Sequence, residues 1–342
     1  MRTSKLLSAL LVPFVSFVTT IGSPKPTLAL DFTYKSTIGG SYGSGNGEFS
    51  IPFYVATDKN SNVYITDSGN SRVEVFNSNG AFSSAFSVAT QANSLRGIAL
   101  DDVTGNIYVG DYAKGTLYKF SNSGTLLLSM PTLTPNISPS GVALDSLGNI
   151  YTSDAQTATV RKYDTTSGNY LSSFGNGFGV NSGSPGLFSP EGVTIDNAGN
   201  IYVVDSSSSH PQVQKFNSSG TFLSSFGSGL QNASGIAVDS NGNIFVANSG
   251  KNSIDQFDKN GNFVTSFGGA GNGSYQFNGP IGLALDSSNN LYVVDTGNTR
   301  VQIYEVTATA VPFEFSPEQG FILGVPLFTG LRLVKKRKIN KT

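Results

Sequence analysis

A short phrase recurs six times in this chain, and the repetition limits the possible folds more than any other feature. From Gly192 it reads GVTIDNAGNIYVVD, from Gly141 GVALDSLGNIYTSD, from Gly235 GIAVDSNGNIFVAN and from Gly282 GLALDSSNNLYVVD. Two earlier copies are GIALDDVTGNIYVGD from Gly97 and YVATDKNSNVYITD from Tyr54. The Asp ending the first half of each copy falls at Asp58, Asp101, Asp145, Asp196, Asp239 and Asp286, at intervals of 43, 44, 51, 43 and 47 residues. Each interval has room for about four short strands, the period of a closed array of small sheets.

Each copy has the same internal order. A short apolar run ends at the first Asp, and a turn of Gly and Asn follows, residue types that accept positive φ. A β-branched and aromatic run such as Ile201 to Val204 comes next and closes on a second acidic position: Asp67, Asp111, Asp154, Asp205 and Asp295, with Asn248 as the variant. The third run (RVEVF, TLYKF, VQKF, RVQIY) alternates as a half-buried strand does, and a Gly-containing turn leads to a fourth such as FLSSFG. No segment between the two ends carries a helical period, so the expected class is all-β. Four-stranded units bury their faces only against neighbours, which predicts radial stacking around a channel. The last copy supplies three strands before the composition changes after Thr307. The segment from Tyr34 (YKSTIGG, then SYGSGNGEF) parallels that from Phe263 (FVTSFGG, then AGNGSYQF), so an N-terminal strand is expected to complete the sixth blade and close the ring.

Over roughly residues 33 to 306 these units resemble NHL repeats, and the resemblance implies a six-bladed β-propeller. A DxxNxR pattern stands at Asp67-Ser68-Gly69-Asn70-Ser71-Arg72 and Asp295-Thr296-Gly297-Asn298-Thr299-Arg300. Thr116, Thr159 and Ser253 occupy the Arg position in three other copies, and an insertion around Ser206 to Pro211 blurs the fourth. Because the acidic position recurs in every unit, Asp67, Asp111, Asp154, Asp205 and Asp295, with Arg72 and Arg300, are expected to be structural ties.

The two ends read as an address. Residues 1–29 have the anatomy of a signal peptide: Arg2 and Lys5, an apolar run from Leu6 to Ile21, and a small-residue cleavage site at Thr27-Leu28-Ala29. Residues 30–310 form the propeller domain. Residues 311–342 hold Pro-Phe-Glu-Phe, an apolar run from Phe321 to Val334, and the basic cluster Lys335-Lys336-Arg337-Lys338. The run is short for a span and is broken by Pro326 and Arg332. Its order resembles PEP-CTERM sorting tails, which implies processing by an exosortase, transient membrane contact through the tail, and a place at the cell surface or in the envelope. Setting both ends aside leaves 12 basic and 20 acidic residues, a net charge of −8. That balance argues against nucleic acid as a partner.

Chemistry-bearing residues are sparse. The one histidine, His210, lies in a Ser-rich insertion, and there is no cysteine, so no His-based zinc site or Ser–His pair is expected beyond that residue. The Asp-rich turns lack the downstream bidentate Glu of a calcium loop and read as hairpin turns. The residue before each inner-strand glycine should reach the channel mouth, and there the copies diverge: Phe53, Arg96, Ser140, Glu191, Ser234 and Ile281. This ring is the expected binding site. Glu191 and Arg96 are expected either to pair or to contact a polar ligand. Loops rich in Asn and Gly, including NGFGVNSGSPG from Asn176, suit adaptable hydrogen bonding. Together these features point to an exported binding or scaffold module for a protein or extracellular glycan, without a cofactor. A calcium-dependent lactonase-like hydrolase centred on the channel is the alternative, and an adhesion or matrix protein a third.

Overall fold

The computed structural model describes residues 30–88, 95–131, 138–175 and 186–308. The signal-like leader, the sorting-like tail and almost all of the loop from Asn176 lie outside the described residues.

Among the described residues, twenty-four strands form six four-stranded antiparallel sheets. In five of them the strands follow chain order from inner to outer. Blade 1 begins at Pro52–Thr57, blade 2 at Leu95–Leu100, blade 3 at Pro139–Leu144, blade 4 at Pro190–Ile195, blade 5 at Ala233–Val238 and blade 6 at Pro280–Leu285. The inner strands pack side by side around the axis. Blade 6 is completed by the N-terminal strand Leu30–Gly39, which pairs antiparallel with Arg300–Ala308 from Leu30↔Ala308 to Gly39↔Arg300. The ring is closed as expected from the two parallel segments, and both flanking loops even make the same isolated bridge, Tyr42↔Phe49 and Ala270↔Phe277.

The core lies at the seams rather than inside any blade. Six apolar clusters each straddle two neighbouring blades; one joins Val73 and Val75 of blade 1 to Ile98, Val109 and Phe120 of blade 2. A lone blade would leave this surface in water, so the repeats stabilise one another. Glycine at the inner strands permits the close approach. A Cβ at Gly141 would sit 2.6 Å from the Glu191 carbonyl oxygen, and one at Gly282 would sit 2.6 Å from Tyr54 Cα.

The first Asp of each copy shapes the hairpin at the opposite end of its inner strand from the mouth. In blade 4, Asp196 Oδ1 accepts the Ala198 and Asn200 N–H groups at 2.9 and 2.8 Å, while Oδ2 accepts Asn200 Nδ2 at 2.8 Å and the Tyr202 hydroxyl at 3.1 Å. Burial works to raise this carboxyl, but these hydrogen bonds outweigh it and hold the pKa below the ordinary value. Asp58, Asp145, Asp239 and Asp286 repeat the geometry. The Asp-rich turns are therefore carboxylates already engaged by their own hairpins. No helix among the described residues is long and apolar enough to cross a membrane.

Candidate functional site

The second acidic position lies at the mouth end of each blade, fully buried in every copy. Its carboxylate accepts the backbone N–H of the segment that enters the same blade. Asp67 takes Ser50 N–H at 2.7 Å, Asp154 takes Ser138 at 3.0 Å, Asp205 takes Phe188 and Ser189 at 3.0 Å, and Asp295 takes Asn278 at 2.7 Å. Asn248 does the same for Gln231 at 2.9 Å, so a neutral amide oxygen suffices for this contact. Asp111 accepts Lys114 N–H at 3.1 Å. Arg72 and Arg300 bind these carboxylates through Nε at 3.0 and 2.8 Å, and each also donates to three carbonyl oxygens of the entering loop. These residues tie loop to sheet.

Two such ties were not visible in the repeat pattern. In blade 3, Thr159 holds the Arg position, yet Arg161 reaches Asp154 through Nε at 3.1 Å. Residues two apart on a strand share a face, so the cation moves along without losing the carboxylate. In blade 5 the polarity is exchanged: Asn248 Nδ2 donates to Asp255 Oδ2 at 2.7 Å.

The ring expected at the mouth comes together there. Phe53, Arg96, Glu191, Ser234 and Ile281 line one cup of about 310 Å³, joined by Ser206 and Ser249 from the ends of second strands. Ser140 lies within the same network but is fully buried. Arg96 of blade 2 reaches past blade 3 to Glu191 of blade 4, with Nη1 donating to Oε2 at 3.1 Å. Arg96 Nη1 also donates to Ser140 Oγ at 3.2 Å, and Ser140 Oγ donates to the same Glu191 oxygen. The guanidinium carbon lies 3.7 Å from the Tyr112 ring centroid and 4.9 Å from that of Phe53. Stacking on aromatic faces restricts the guanidinium and leaves its edge for hydrogen bonds. Ser234 Oγ lies 3.0 Å from Ser249 Oγ, which donates to the Pro280 carbonyl. The cup is thus electroneutral, rich in hydroxyls and aromatic on one side.

The NHL repeat pattern matches residues 230–257 and 277–304, the heart of blades 5 and 6. The propeller superposes on streptogramin B lyase with a TM-score of 0.58 at 12% identity, covering 82% of this chain and 98% of that one. A catalytically inactive virginiamycin B lyase from Staphylococcus aureus with quinupristin gives 0.56 at 12% identity, over 83% and 90% of the two chains. Hydrazine synthase from Kuenenia stuttgartiensis gives 0.56 at 12%, over 80% and 100%. At this identity the likeness is one of fold. No curated protein matches the chain.

Two residues that matter to the cup were not singled out from the sequence. Tyr54 occupies the place of the inner-strand glycine in blade 1, where the other copies have Gly97, Gly141, Gly192, Gly235 and Gly282. Its side chain lines the channel, a space of about 240 Å³ walled by the inner strands. It is buried, and its hydroxyl makes no well-aligned hydrogen bond among the described residues, although the Ser140 hydroxyl acts on it. Burial raises its pKa far above the usual phenol value, Glu191 adds to the rise, and Arg96 opposes it. Tyr54 thus lies in the channel within electrostatic reach of the ion pair at the mouth. Tyr112 breaks the pattern in a second place: it follows Asp111 where Ser68, Ser206, Ser249 and Thr296 follow the equivalent acid or amide. Both substitutions are readable as departures from the repeat.

Among the described residues, no three His, Asp or Glu side chains converge as a metal site requires. His210 is exposed, stacked on Phe188 at 5.6 Å between ring centroids, and is not part of the cup.

Proposed function

We propose that this NHL-type propeller is an exported envelope protein that acts as a binding module, with its partner seated in the cup at the channel mouth. The observation that carries this reading is convergence. An inner-strand position that differs among six similar copies supplies five side chains to one cavity, while the glycine that follows it recurs in five of the six. A surface that varies without purpose has no reason to build an ion pair across the mouth between blades 2 and 4. Ser140 is an improbable acyl nucleophile, because its hydroxyl is buried and committed to Glu191. Binding accounts for the arrangement with no further group.

Export rests on the leader-like and sorting-tail-like ends. Within the described residues, Leu30 and Ala308 pair at the end of blade 6 opposite Pro280 and Asp295.

The test is recovery of partners from the native envelope by cross-linking, using wild type and the charge reversal Arg96→Glu. Partners captured by wild type and lost in the variant, with melting temperature nearly unchanged, support the reading. Equal recovery by both would refute the cup as the contact surface.

A further inference from the structure

The cup's hydrogen-bonding groups are only partly used, and what remains defines the ligand. Among the described residues, the side-chain hydrogen bonds of Arg96 fall on Nη1 and those of the Glu191 carboxylate on Oε2. That leaves Nε and Nη2 as donors and Glu191 Oε1 as an acceptor on the two partners of an ion pair spanning the mouth. Both side chains are largely withdrawn from water, at 21% and 18% exposed. The buried Tyr54 side chain lines the adjoining channel, within electrostatic reach of the same pair. Around these stand the hydroxyls of Ser206, Ser234 and Ser249, with Phe53 and Ile281 as the apolar lining.

We infer that the cup is a subsite for one neutral pyranose ring, the terminal unit of a glycan, with adjacent ring hydroxyls bridging Arg96 and Glu191. This deepens the binding-module reading and rests on it. Hydroxyls both donate and accept, so a vicinal pair satisfies a neighbouring guanidinium edge and carboxylate oxygen together. The serine hydroxyls have the same dual capacity. A carboxylate ligand would satisfy Arg96 but meet Glu191, and it would approach a domain of net charge −8. An ammonium would meet the reverse conflict at Arg96. A volume of about 310 Å³ stands at the lower end of ligand pockets, which run from about 300 to 1,000 Å³, and admits one ring rather than an extended chain. The apolar face of a pyranose matches Phe53 and Ile281.

The experiment is saturation-transfer NMR on the full chain with glucose, galactose, mannose, N-acetylglucosamine and their β-linked disaccharides. Glucuronate, galacturonate and a mixed peptide library run alongside. At least one neutral sugar should bind with Kd below about 10 mM, and Arg96→Ala and Glu191→Ala should each weaken it about tenfold or more, equal to about 1.4 kcal/mol. Ser234→Trp fills the cup while leaving Arg96 and Glu191 in the chain, and it should abolish binding with melting temperature kept. Silence from every neutral sugar, binding confined to the uronates, or sugar binding that survives Ser234→Trp would overturn the inference. Peptide capture that depends on Arg96, with all sugars silent, would also overturn it while leaving the binding-module reading intact.

Discussion

Replacing Asp295 by alanine tests whether the recurring acid is a tie, because the structure gives its counterpart in blade 2 far fewer bonds. Asp295 is fully buried and accepts from Asn278 N–H at 2.7 Å, Asn298 Nδ2 at 2.8 Å, Arg300 Nε at 2.8 Å and Gln302 Nε2 at 3.3 Å. Its loss strands a backbone N–H and removes the partner of a cation that keeps only carbonyl acceptors. Breaking a buried pair from one side costs about 3–5 kcal/mol. Unfolding entropy of about 2.1 cal/mol/K per residue, over a domain of roughly 280 residues, converts this to a fall in Tm of about 5–9 °C. Asp111 is equally buried, but its Oδ2 has no partner among the described residues, and burial raises its pKa despite the Lys114 and Ala113 N–H groups. Asp111→Ala should therefore cost no more than about 1–2 kcal/mol, or about 2–4 °C. The assay is paired calorimetric melting of the two variants against wild type. Equal shifts, or a larger one for Asp111→Ala, would refute the reasoning that bond count at this position sets blade stability.

Three further outcomes follow from the geometry. Glu74 is fully buried, and desolvation pushes its pKa up to about 7 although Arg72 lies 2.7 Å away. A carboxyl with a raised folded-state pKa exerts no penalty below its unfolded value, and the penalty grows as pH rises from about 4.5 to 7. Glu74→Gln should therefore stabilise the domain by about 1–3 kcal/mol at pH 8 and by little at pH 4, read from denaturant melts at both; the opposite pH trend would contradict the assignment. Tyr54→Phe removes a buried hydroxyl that has no well-aligned hydrogen bond among the described residues, so Tm should rise by an amount equivalent to about 1–3 kcal/mol, and a fall would mean that its contact with Ser140 is a full hydrogen bond. Chelators should leave Tm unchanged, since no acidic cluster among the described residues is placed to hold an ion; a fall accompanied by release of calcium would revive the channel-centred hydrolase.

The fold was legible because the same local contacts are made in every unit. In five of the six copies the hairpin Asp accepts N–H groups two and four residues ahead, and in the longer turn after Asp101 two and three ahead, so it stands at the start of the turn in each phrase. The mouth ring was legible for the complementary reason, as a position where copies differ inside a constant frame. Arg161 was not, because the choice between two residues on one strand face depends on which of them faces the loop in space. The pairing of Arg96 with Glu191 was only one of two expectations, since they are separated by 95 residues and an intervening blade.

The sequence by itself determined the blade number, the strand order, the hairpins and the closing N-terminal strand, all of which follow from short-range pattern repeated at a constant period. Tertiary structure alone decided that a tyrosine in a glycine's place enters the channel, that Tyr112 stacks on Arg96, and that an ion pair crosses the mouth. Those contacts join residues of different blades, and only closure of the ring brings such blades within the few ångströms over which side chains interact.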